Sequence, residues 1–98
     1  MSNRTDEKPW RFLSNHTQVL LVIAHDPEAR LRDVADAVGI TERAAQRIVA
    51  DLVETGYLTR ERVGRRNHYL INREGKMRHD AQLGQEIGPL LDLLRDRW

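Results

Sequence analysis

The sequence predicts a mainly α-helical domain with one small β-hairpin, and three observations carry that prediction. Apolar residues recur at helical spacing in successive runs over residues 15–54, with capping residues before them and glycines after them. Two β-rich segments, "YLTRERV" (57–63) and "HYLIN" (68–72), then bracket "GRRN", which reads as a hairpin turn. A last apolar stripe, "GPLLDLLRDRW" (88–98), returns to helical spacing. The order is helix, helix, helix, hairpin, helix.

Each element has a local reason. Residues 1–9 are polar and mixed in charge and are expected to form a disordered tail ended by Pro9. Ser14 or Asn15 can cap a first helix running to about Ala24, with Leu20, Leu21 and Ile23 buried. Trp10 and Phe12 are expected to pack beside it. "HDPEA" (25–29) is a turn, because Pro27 disfavours helical backbone at Asp26. A short helix at about 32–38 leads into the Gly39-Ile40-Thr41 turn. Thr41 then caps a longer helix over 42–54, with Gly56 just past its end. In the hairpin Gly64 and Asn67 are the candidates for positive φ. Leu58, Tyr69 and Ile71 fold it back onto the helices, and Tyr57 is left open between core and surface. "NREG" (72–75) is a further turn, and Pro89 suits the first position of the last helix.

Composition narrows the function. Ninety-eight residues make one small domain, which buries only about 60–70% of its unfolded surface. The longest apolar run, "VLLVIA" (19–24), falls far short of the roughly 20 residues of a membrane span. The polar start does not read as a signal peptide, and the absence of cysteine excludes disulfides and thiolate metal sites. A cytoplasmic, nucleoid-associated protein is expected. His16, His25, His68 and His79 lack metal-ligand spacing, so no metal is assigned. No nucleophile–base constellation or phosphate-cradling glycine loop is present, so neither catalysis nor a cofactor is expected. The net charge of +1 hides a segregation: residues 57–79 carry seven Arg and Lys against two acids, whereas 26–55 carry four Arg against seven. A concentrated basic segment points to a local anionic partner.

"LRDVADAVGITERAAQRIVADL" (31–52) identifies that partner. Two helices joined so tightly need a small residue where their backbones approach and a permissive one in the turn. Ala35 and Gly39 fill those positions, and Val34, Val38, Ile40, Ala45 and Ile48 supply the contacts that set the interhelical angle. This is the helix-turn-helix pattern. With Ala45, Ile48 and Leu52 inward, helical geometry turns Thr41, Arg43, Ala44, Gln46, Arg47 and Ala50 outward. Arg43 and Arg47 can pair with guanine and Gln46 with adenine in a major groove, while Thr41 suits a phosphate. The bland alternative is ordinary solvated surface. The small Ala44 and Ala50 beside the polar groups favour a face built for close approach.

A hairpin following such a helix is a wing. Arg60 and Arg62 lie on its first strand, and Arg65, Arg66, Asn67 and His68 at or beside its tip, suited to phosphates or a minor groove. Protection of an exposed strand edge would explain one or two of these arginines but not four within seven residues.

The segment "VADAVGITERAAQRIVADLVETGYLTRERVGRRNHYLIN" resembles the winged helix-turn-helix core of MarR-like and ArsR-like transcriptional regulators. The likeness covers roughly residues 15–75. Leu52, Gly56 and Leu58 match the signature of helix end and strand start, and "INREG" resembles the segment closing the MarR wing. The resemblance implies a recognition helix at 42–54, a wing at 57–72 and a homodimeric regulator. It does not imply thiolate-metal or small-molecule sensing, since the ArsR cysteines and the long terminal helices of the MarR ligand cleft are missing. The expected division is a tail at 1–9, a winged helix-turn-helix DNA-binding domain at 10–75, and a linker with a C-terminal packing or dimerisation helix at 76–98.

That last helix places Ile87, Leu90, Leu91, Leu94 and Trp98 on one stripe. So short a helix is not stable alone in water and must dock, on its own chain or on a second subunit. The family likeness favours the dimer, with these residues as its interface. The expected function is therefore sequence-specific binding of double-stranded DNA to regulate transcription. The alternatives are a winged-helix protein-interaction module and a non-specific architectural DNA binder.

Overall fold

A computed structural model describes residues 10–95. The expected tail at 1–9, and Trp98 of the expected interface, lie outside the described residues.

Helix α1 (Asn15–His25) starts where Ser14 Oγ accepts the Thr17 N–H at 3.2 Å. Five consecutive residues, Val19 to Ile23, are buried, as a central helix requires when it is covered on all sides. Helix α2 (Leu31–Val38) packs on it and ends at Gly39, whose φ of 87° and ψ of 33° are left-handed. There the Gly39 and Ile40 amides both donate to the Ala35 carbonyl, at 2.8 and 3.0 Å, and Ala35 itself is buried. Helix α3 (Glu42–Glu54) is capped by Thr41, whose Oγ1 accepts the Ala44 N–H at 3.0 Å. Its inward face is Ala45, Ile48, Val49 and Leu52. At its far end the Tyr57 amide donates to Leu52 and the Gly56 amide to Val53, a Schellman pair that turns the chain into the hairpin.

Strands β1 (Leu58–Val63) and β2 (Arg66–Ile71) pair antiparallel, with Leu58 opposite Ile71 and Val63 opposite Arg66. The loop is therefore Gly64-Arg65, shorter than the expected "GRRN" tip. Only Gly64 has positive φ, 62°, which is the requirement of a type II′ turn. One glycine suffices, so Asn67 is freed to pair in the strand opposite Arg62. Asn72 latches the base of the hairpin through its Nδ2 to the Gly56 carbonyl at 3.2 Å.

Residues 76–87 run out and back as a loop held by main-chain bonds. Met77 donates to Gln85 at 2.8 Å, Ile87 to Gly75 at 2.8 Å and Gly88 to Arg73 at 2.9 Å, with one 3₁₀ turn at Asp80–Gln82. Helix α4 (Gly88–Arg95) then docks on α1 of its own chain. Ile87 and Leu91 are only 6% and 2% exposed and complete the chain's own core, so they are not available to a second subunit as expected. Leu90 and Leu94 are half-buried, and Leu93 is 72% exposed. An ion pair of 2.6 Å between Arg73 Nη2 and Asp92 Oδ2 fastens α4 to the segment after the hairpin, and the bond to Asp92 raises the Arg73 pKa. Trp10 and Phe12 are 69% and 91% exposed, against expectation, because α2, α3 and α4 already cover α1. Among the described residues no helix is long and apolar enough to cross a membrane.

Candidate nucleic-acid interface

Burial of one face of α3 determines what the other presents. Thr41, Arg43, Gln46, Arg47 and Ala50 are exposed and Ala44 is half-buried, as helical spacing predicts. With Ile48 they line an open depression of about 880 Å³. The side chains of Arg43, Gln46 and Arg47 make no hydrogen bond or ion pair with any described residue. Thr41 spends its oxygen on the cap but keeps its hydroxyl hydrogen to donate. At the other end Asp51 is drawn aside by His16 Nε2 at 2.9 Å, which takes an acid off the outward face. Glu42 stays exposed in the first turn.

The hairpin sorts its cations by the pleat, because residues directly opposite each other share a side. Arg60 faces the same side as its partner Tyr69, and Arg62 the same side as Asn67. That side carries the buried Leu58 and Tyr69, so Arg60 and Arg62 extend outward from the contact between hairpin and helices. Arg65 occupies the turn itself, exposed and unengaged by any described residue.

A tight Ala35–Gly39 junction, an outward polar α3 and a basic hairpin directly after it form a winged helix. The MarR family model matches residues 12–66, from before α1 to beyond the hairpin turn and over half of the chain. The chain belongs to the MarR family. It is thus a winged-helix protein of a family of transcriptional regulators, with a mainly α fold and a two-stranded wing. No curated protein is similar enough to count as a match.

Two of the expected wing contacts have other engagements in this MarR-family chain. Arg66 Nη2 donates to the Glu28 carbonyl at 3.2 Å, and His68 Nδ1 lies 3.3 Å from Glu28 Oε2. The Tyr69 amide donates to the Pro27 carbonyl at 2.9 Å, so the turn between α1 and α2 runs alongside β2. Sequence reasoning missed this clasp. Its partners are 38 to 42 residues apart and two of the three acceptors are backbone oxygens, which leave no side-chain signature. Of the remaining histidines, His79 Nδ1 accepts the Ala81 N–H at 2.9 Å and thereby caps the 3₁₀ turn.

Proposed function

We propose that this MarR-family regulator binds double-stranded DNA sequence-specifically, with α3 in the major groove and the wing on the flanking backbone or minor groove. The observation that carries the reading is the outward face of α3: Arg43, Gln46 and Arg47 stand exposed and unengaged by described residues around the small Ala44 and Ala50. Unpaired guanidinium and amide groups on a helix face are the donors that base edges accept. Arg60, Arg62 and Arg65 of the wing, with the Thr41 hydroxyl, supply backbone affinity. Arg66 and His68 hold the wing against Glu28, and Asn67 continues the same strand.

The reading includes a homodimer, which family membership and the 72% exposure of Leu93 on α4 support. Two-fold symmetry would set two α3 helices about 34–36 Å apart, on successive major grooves. Selection of bound fragments from a random duplex pool tests the function. An enriched motif supports base reading. Uniform recovery would favour the architectural alternative, and no recovery the protein-interaction module.

A further inference from the structure

A second basic feature lies away from the α3 face. A cleft of about 400 Å³ separates the approach to α2 from the second strand of the wing, and its walls include Glu28, Arg30, Arg65, Arg66, Asn67 and Tyr69. Three of these six are arginines. Arg30 and Arg65 come from elements 35 residues apart, and neither makes a side-chain bond to any described residue. The lone acid among the lining residues, Glu28, is outnumbered by the three arginines; its carboxylate lies against His68 and its carbonyl accepts from Arg66. The two walls are pinned by the Tyr69-to-Pro27 bond of 2.9 Å and the Arg66-to-Glu28 bond of 3.2 Å, so their spacing is set before anything enters.

We propose that this cleft seats one phosphate of the DNA backbone, gripped between Arg30 and Arg65, which makes Arg30 a DNA-contacting residue. The proposal rests on the DNA-binding reading above. Two cations that line one cleft from separate, bonded walls suit a phosphodiester better than a base edge: a phosphate can accept from both at once and carries no sequence information. Arg30 therefore contributes affinity without base preference.

Salt dependence of duplex affinity, read by fluorescence anisotropy on the full chain, tests this. Each neutralised phosphate adds about 0.9 to the log–log slope, so Arg30→Ala should flatten the slope by about that amount for each bound chain. Between 50 and 200 mM salt the parent should then lose about 3.5-fold more affinity than the variant for each bound chain. The loss at low salt should be equal on preferred and random duplexes, and Arg30→Lys should keep the parent slope. Arg32→Ala, two residues further on in α2 and outside the cleft, removes the same charge and should leave the slope unchanged. A parent slope in Arg30→Ala, or an equal fall in Arg32→Ala, overturns the cleft alone. Failure of the parent to bind duplex DNA overturns the cleft and the function together.

Discussion

Replacing Gly39 with alanine isolates the turn on which the α2–α3 geometry depends. A Cβ built at Gly39 meets nothing within 4 Å, so the substitution creates no clash. Its whole cost is the left-handed backbone, φ 87°. Holding an L residue there costs about 1–2 kcal/mol. Alanine also restricts the unfolded chain, which offsets about 0.4–1 kcal/mol of that strain. The net is a loss of about 1 kcal/mol. With a urea m-value of about 1 kcal/mol/M, at the low end for small proteins, the midpoint of unfolding should fall by about 1 M at unchanged m. Gly39→Asn should lose clearly less, since asparagine tolerates the left-handed region. Equal or higher stability in Gly39→Ala would refute the argument, because it would mean that the turn does not impose positive φ.

Four further outcomes follow from the same geometry. Leu91→Ala should cost about 2–5 kcal/mol in chemical denaturation, because Leu91 is fully enclosed between α4 and α1. Leu93→Asp should leave stability within about 0.5 kcal/mol yet yield a monomer by sedimentation; a persisting dimer would put the interface elsewhere. Thr41→Ala should lower stability by about 1 kcal/mol through loss of the bond to the Ala44 amide, measured by thermal melting. Arg60→Ala with Arg62→Ala should reduce the salt slope of DNA affinity by about 1.8 units for each bound chain, and an unchanged slope would remove both from the interface.

The helices were legible in the sequence because their signals are local. Ser14, Thr41, Gly39 and Gly56 mark the ends, and apolar spacing marks the inward faces. The outward face of α3 followed from the same spacing, residue by residue. The hairpin turn was less legible. Gly64 alone satisfies a type II′ loop, but "GRRN" offers two residues able to take positive φ, and only the register Arg62 opposite Asn67 decides between them. The loop at 76–87 is held mostly by main-chain bonds, with His79 capping its one short turn, so it shows no periodic pattern to read. The stripe on α4 announced that it must be buried, yet amphipathicity does not say against what. Ile87 and Leu91 found α1 of their own chain. The same blindness to long-range contacts hid the Glu28 clasp, which takes Arg66 and His68 out of the free wing surface, and the cleft that brings Arg30 beside Arg65.

The most direct test of the central claim is the base preference of Gln46→Ala, with Arg43→Ala beside it, over duplexes that differ by one base pair at a time. Reading by α3 predicts that each variant relaxes discrimination at one position by about 1–3 kcal/mol and leaves the other positions as in the parent. A uniform fall in affinity across all duplexes, with every preference intact, would contradict it.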